Sequence, residues 1–368
     1  MQDFPFPHKD SSDAPRPFLS GAEFRERVER EGELRCATVE GQCLDELELN
    51  GVTLQDVHFV GCSMHRVRFD DVICIDCSFR SVNFLKSAIK DLVAIRCHFT
   101  ELFLSSVHLS ESQFLGGTMI GTESDEVVMH SVFFDKTDLS GLRSPQADLN
   151  MVTFSGCTLS DATFTGSCFE RVTFLEADLR SAQLQQVAMD SCVLNKVNVA
   201  GVSFAGQTLR GCQWQRSVLA GCDFTKSVLD GSGFKDCDLS TALFTEASVC
   251  YSSFPESNLR QVIAESALFN RSNLAGVDFT GAVLREASFK ESVLQGAKLH
   301  DVPMQNSILD YADLSWCEMT GNLNLSGAST YRTRCHAVRG LAQLPEGAIP
   351  TDQELLRAEL YRPPGDAA

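Results

Sequence analysis

The sequence is short of positive charge. Its 31 Lys and Arg stand against 49 Asp and Glu, a net charge of −18 over 368 residues. A basic footprint is the usual mark of phosphate-backbone binding, so direct nucleic-acid binding is disfavoured. No apolar run approaches the ~18 residues of a membrane span. The opening MQDFPFPHKDSSDAPRP has neither a charged n-region nor an apolar h-region, so no secretory signal is read there. Fifteen cysteines without such a signal predict reduced thiols in a cytoplasmic protein, or one exported by a dedicated non-Sec system. No Walker loop, nucleophile elbow, H-E-x-x-H helix or dinucleotide fingerprint occurs. Neither an enzyme nor a cofactor is expected.

What the sequence has in excess is a period of five. In GCDFTKSVLDGSGFKDCDLS, residues 221–240, the large apolar residues are Phe224, Leu229, Phe234 and Leu239. A strand has period 2 and a helix 3.6. Stepping by five from Leu44 to Met319 gives 56 positions. All but Ala94, Ser124, Ser144 and Ala264 are Leu, Phe, Ile, Val, Met, Cys or Trp. Nineteen of the 25 Phe residues lie in this column of centres, whose frame does not slip. Two places before each centre runs a column of small or slender companions, such as Val67, Val72, Cys77 and Val82, then Ala162, Ser167, Val172 and Ala177.

Charge gives an independent check. Residues 44–323 hold 20 Lys and Arg and 35 Asp and Glu, and none stands at a centre or companion. Burying an unpaired charge costs several kcal/mol or more, so two positions in five face one continuous core and three face water.

The stretches ADLRSAQLQ, CDFTKSVLD, SNLAGVDFTGAVLREASF and GAKLHDV resemble the pentapeptide repeat, A-(D/N)-L-x-x. The resemblance covers residues 34–329. It implies an all-β solenoid, a right-handed quadrilateral β-helix with one pentapeptide per side and 20 residues per coil. Fifty-six pentapeptides then make about 14 coils, or a rod of roughly 65–70 Å at ~4.8 Å per coil. Phe114, Phe134, Phe154 and Phe174 should stack.

A solenoid needs covered ends. Residues 1–19 hold four of the eleven prolines and read as a flexible tail. Residues 20–33 read as a helical cap: Ser20 and Glu23 have capping-box spacing, Phe24 and Val28 share a face, and Gly32 is a stop. The frame fails where Arg332 and Arg334 reach companion and centre positions, so 330–368 reads as a separate C-terminal segment. PTDQELLRAELY offers a capping box from Thr351 to Glu354 and a helix carrying Leu355, Leu356 and Leu360. A terminal cap is the preferred reading, and a homodimer helix the other. Residues 362–368 are expected to be disordered.

Candidate chemistry is thin. Cys74 and Cys77 have the spacing of a redox or metal pair, but both take inward slots. Nine cysteines are companions, where a small apolar thiol suits the packing. The informative irregularity is elsewhere. Ser124 and Ser144 are 20 apart, so they should meet in adjacent coils. Glu123, Asp125 and Glu126 cluster beside them, and no Lys or Arg occurs from Cys97 to Asp135. A deformed coil with a protruding acidic loop is expected, as a contact site for a protein partner. The preferred function is a non-enzymatic bacterial interaction scaffold or adaptor. From the resemblance alone it is a secretion-system accessory, of type VI among others. The alternative, also from the resemblance, is an acidic DNA mimic that binds or protects a type II topoisomerase such as DNA gyrase. Acid is spread almost evenly over the four sides, which favours a solvated rod over a mimic.

Overall fold

The computed structural model describes residues 16–341 and 343–360. Residues 1–15 and 361–368, which include most of the expected tail and the whole expected disordered end, lie outside the described residues. The chain winds as a parallel four-sided β-solenoid. Residues that pair across coils stand 20 positions apart, from Phe18 with Thr38 to Lys298 with Glu318. Side chains at centres and companions point inward and form one core from Leu19 to Cys335. Among the described residues no Asp, Glu, Lys or Arg is buried. Phe114, Phe134, Phe154 and Phe174 stack with ring centroids 4.8, 5.3 and 5.1 Å apart.

The sides differ in how they pair. One carries true strands through eleven turns, from Glu33–Glu40 to Gly233–Lys235. A second carries nine, from Glu48–Asn50 to Leu209–Arg210. A third keeps strands only as far as Thr118–Ile120. The fourth, with centres Leu44, Met64, Phe84, Leu104, Ser124 and Ser144, is joined by single bridges. The strand ladder therefore spans eleven turns rather than the 14 coils expected. Beyond Lys235 the register continues, but as isolated bridges.

Local hydrogen bonding accompanies the change. On the third side at Asp238, Asn258 and Asp278, and on the first at Asn273 and Asp313, the residue before a centre accepts the N–H two residues on through its carboxylate or amide oxygen. The second side has Val228, Ser248, Leu268, Ser288 and Ile308 in that slot. Ser240 N–H reaches Asp238 Oδ1 at 3.1 Å, Ala275 reaches Asn273 at 3.1 Å and Thr280 reaches Asp278 at 2.9 Å. Such local bonds compete with the ladder. The corner then closes as a β-turn, with the companion N–H on the preceding centre carbonyl: Ala242 on Leu239 at 3.1 Å, Ala282 on Phe279 at 2.8 Å.

Helix α1, Gly21–Glu31, caps the first coil. Ser20 Oγ accepts the Glu23 N–H at 3.2 Å, and Glu23 Oε2 accepts the Ser20 N–H at 2.9 Å. Gly32 ends the helix at φ 66°. Phe24 and Val28 are buried, Phe24 edge-on to Phe59 at 5.5 Å.

At the other end two expectations need correction. The frame does not stop at Arg332 and Arg334. It slips by one residue, from Lys298 paired with Glu318 to Pro303 paired with Asn324. The slip leaves both arginines outward and turns Thr333 and Cys335 inward, so bridging continues to Ile349. The second helix, α2, Gln353–Leu360, is capped by Asp352 instead of Thr351. Asp352 Oδ1 accepts the N–H groups of Glu354 and Leu355 at 2.9 and 3.0 Å. The Thr351 hydroxyl instead accepts the Ala337 N–H at 3.1 Å.

Candidate functional site

Inward polar groups have a structural task. Most companion Ser, Thr and Cys donate to the carbonyl of the centre 23 residues earlier, Thr122 and Ser307 being without a partner among the described residues. Ser87 reaches Met64 O at 3.0 Å, Thr137 Phe114 O at 3.2 Å, Cys222 Val199 O at 3.0 Å and Cys317 Leu294 O at 2.9 Å. Companion serines also accept a buried N–H from the previous coil, as Ser87 does from Val67 at 3.1 Å and Ser167 from Ala147 at 3.0 Å. Buried backbone groups need such partners. The sequence reading took the cysteines as small apolar fillers. The shared use of the slot by Ser and Thr was the signal that a donor is wanted there.

The nine companion cysteines and Cys74 are buried, and none of the fifteen forms a disulfide. Burial pushes the thiols of Cys222, Cys237 and Cys317 up to about 12, and those of Cys157 and Cys335 up to about 11. A hydrogen bond to Cys77 together with burial raises Cys74 and Cys97 further. Hydrogen bonds from Cys74 and Cys97 lower Cys77, and one from Cys212 lowers Cys192, but both thiols are buried, whereas a reactive thiolate is reached from solvent. Among the described residues no group of three or more His, Cys, Asp or Glu is placed to hold a metal, and no helix is long and apolar enough to cross a membrane.

The sequence irregularity lies on the bridged fourth side. Ser124 and Ser144 do meet: Ser124 Oγ donates to Ser144 Oγ at 2.7 Å and lies 3.0 Å from Arg143 O. Both are buried. The expected protruding loop is absent, because the register runs unbroken through Phe103, Glu123 and Arg143. Two small centres in succession let the face sink instead. The result is an open depression of about 360 Å³ lined by Phe103, Ser105, Glu123, Ser124, Asp125, Arg143 and Pro145. Glu123, Asp125 and Glu126 are exposed, with Glu126 at the corner beyond the depression at φ 53°. Arg143 Nη1 stands 3.9 Å from Glu123 Oε1. Phe103 is 46% exposed. Sequence reasoning missed Phe103, Arg143 and Pro145. Within the repeat only Phe103 and Phe133 leave the inward columns, which would have flagged the first.

The second candidate is the C-terminal end. Helix α2 is tied to the last coil by His336, whose Nε2 is 2.8 Å from Glu359 Oε2 and whose Nδ1 accepts the Asp352 N–H at 3.3 Å. The imidazole is buried and sits edge-on to Trp316 at 5.8 Å. Leu355 and Leu356 are half-buried, Leu360 is 63% exposed, and no residue of α2 is fully buried.

Comparison with known proteins agrees with this geometry. The profile of pentapeptide repeats matches in eight copies, over residues 48–84, 146–174, 157–195, 198–236 and 267–306. With the unbroken five-residue frame and the 20-residue coil, these matches place the chain in the pentapeptide repeat family. Among solved structures it is similar to HetL, a pentapeptide repeat protein of the cyanobacterium Nostoc. That match has 19% identity and a TM-score of 0.36, and covers 53% of this chain and 88% of HetL. It is also similar to Rfr23 of the cyanobacterium Cyanothece, at 16% identity and a TM-score of 0.24, over 39% of this chain and 91% of that one. The third is full-length QnrB1, a plasmid-mediated fluoroquinolone resistance protein, at 17% identity and a TM-score of 0.19, over 70% and 97%. No curated protein sequence matches.

Proposed function

We propose that the chain is a non-enzymatic scaffold that docks a protein partner in the depression between Phe103 and Pro145. One observation carries this reading. The only side whose centres shrink to serine twice in succession also presents an exposed aromatic ring, a proline and a charged rim at that place. Aromatic anchors in a concave site ringed by charge are what protein interfaces use. The segment from Cys97 to Asp135 has no Lys or Arg, which suits a partner bearing basic residues beside an apolar one. The adaptor role beside a bacterial secretion system is the form of this reading that the family resemblance permits. No single face concentrates the acid, so the topoisomerase-directed mimic has no observation of its own in its favour.

The test is affinity for the partner captured from the native host. Replacing Glu123, Asp125 and Glu126 by Ser, or Phe103 by Ser, should leave circular dichroism unchanged and weaken binding about tenfold or more. A folded variant pair with unchanged affinity would remove the depression from the account. Near-equal affinity at low salt with steep loss as salt rises, on a topoisomerase, would favour diffuse mimicry.

A further inference from the structure

The surface beyond residue 250 carries a second feature that the repeat does not require. The chain has four tyrosines, and three of them, Tyr251, Tyr311 and Tyr331, are 61%, 48% and 54% exposed. Tyr251 and Tyr311 occupy the same corner of the coil, three turns apart. Tyr331 follows in the next turn: its carbonyl accepts the Tyr311 N–H at 2.9 Å, and the two rings meet edge to face at 5.5 Å. Tyr251 and Tyr311 hold left-handed backbone conformations, φ 58° and 61°. That region is unfavourable for bulky residues, and Trp316 is the only other aromatic among the non-glycine corners that adopt it. Non-glycine corners throughout the coil share this conformation, so what singles the tyrosines out is the exposure of their rings.

Aliphatic and cationic groups surround the tyrosines. Leu268 and Ile308 stand on one face of the corner and Val293 on the other, 41%, 39% and 37% exposed. The bridges Ser248 to Leu268 and Asn273 to Val293 set two of them in the turns between the rings, and Ser288 to Ile308 sets the third beside Tyr311. Arg271 binds the Tyr251 hydroxyl at 2.7 Å and Glu291 at 2.8 Å, with its guanidinium 5.6 Å from the Tyr251 ring centre. Arg332 lies 5.7 Å from the ring centre of Tyr331. Lys290 and Arg332 make no ion pair among the described residues.

We propose that this corner, from Tyr251 to Arg332, is a docking edge for an acidic protein segment with aliphatic or aromatic anchors. Tyr and Arg are the residues that dominate binding energy at interfaces. Four coil steps give an edge of roughly 19 Å, enough for about six residues of extended peptide or thirteen of helix. Charge selects the occupant: Glu291 is held by Arg271, and Asp310 by the Ser329 hydroxyl and the Tyr331 N–H, so an acidic segment meets the unpaired Lys290 and Arg332 here and repulsion along most of a chain of net charge −18. The edge rests on the scaffold reading but is independent of the depression, whose acidic rim would take a basic segment.

The probe is a library of random 12-residue peptides displayed on phage, selected on the full chain. The best enriched sequence is then synthesised and its affinity measured by fluorescence anisotropy. The selected peptide should be net negative and carry aliphatic or aromatic residues. The pair Tyr251→Ser/Tyr311→Ser should weaken it about tenfold or more. Lys290→Glu/Arg332→Glu should also weaken it, and this exposed pair keeps the test valid if the tyrosine pair disturbs folding. The triple change at Glu123, Asp125 and Glu126 should leave it within twofold. A basic peptide, no enrichment, or affinity within twofold in both edge variants would overturn the proposal. Loss in the triple variant alone would assign binding to the depression instead. Self-association in sedimentation that both edge variants abolish would make a second copy the occupant and overturn the acidic-segment assignment.

Discussion

The turns before Lys235 and the turns after it solve the same problem differently. The earlier region has Val, Cys and Leu companions and strands on two or three sides. The later region has Ala and Ser companions, Asp or Asn before many centres, and single bridges with closed corners. The earlier region looks more regular, yet it holds the packing defect. An apolar cavity of about 40 Å³ lies among Phe69, Phe79, Phe99, Phe114, Met119 and their neighbours. Cys74 and Ala94 are consecutive small centres below Phe114 in one column, and their missing volume accounts for the gap. Beyond that segment the inward rings are wholly buried, from Phe134 and Phe174 before Lys235 to Phe244, Phe269 and Phe289 after it. The lesson is that strand content and packing quality are separate properties. Inward volume and local hydrogen bonds hold this fold with or without strands.

Substitutions can break or sharpen that contrast. The largest effect is expected from a charge in the core: Phe174→Asp should cost several kcal/mol in urea denaturation, while the exposed Arg180→Asp should change stability little. Equal effects would mean the inward column is misassigned. Next come matched truncations in the two regions. Leu284→Ala, in the tight region, should cost about 3–5 kcal/mol. Leu109→Ala, beside the cavity, should cost about 2–3 kcal/mol, because its side chain already lacks some neighbours. The reverse order would contradict the packing contrast.

Removing one local bond should cost less. Asp278 accepts from both the N–H and the hydroxyl of Thr280, and Asp278→Ala should lower stability by about 1 kcal/mol. No loss would show that the side-chain bond is not what replaces the ladder.

The smallest effect is a pH dependence. Thiols raised to about 12 in the folded chain bind protons more tightly there than near the ordinary value of 9.0 in the unfolded chain. Their contribution is complete below pH 9 and is lost as pH rises from there toward 12. A Cys222→Ser/Cys317→Ser variant should therefore lose less stability than the parent between pH 9 and 10.5 in thermal melts. Parallel curves would mean these thiols do not couple folding to pH.

Much of the fold was legible because the five-residue period leaves two columns nearly free of exceptions. The α1 cap was legible from Ser20, Glu23, Phe24, Val28 and Gly32. The one-residue slip before Asn324 was not, because a single insertion changes which residues face inward without changing their composition. Asp352 was overlooked for a similar reason: adjacent Thr and Asp both suit a helix start, and only the pairing of Thr351 with the previous coil decides between them. At the candidate site the sequence placed Ser124 and Ser144 together but read a bulge where the structure has a dip. Small centres remove volume from inside, and the periodicity of outward residues carries no record of it. The tyrosine corner was legible in principle, from a rare residue repeated at 60-residue spacing, but it lies outside the two columns that organise the repeat.

The most direct test of the central claim is hydrogen exchange followed by mass spectrometry on the intact chain. Local opening follows packing and buried contacts more than strand labels. Peptides covering residues 259–309 should exchange more slowly than those covering 97–129, although the latter hold the regular strands and the former do not. Slower exchange in 97–129 would contradict the account and give the strand ladder the leading role.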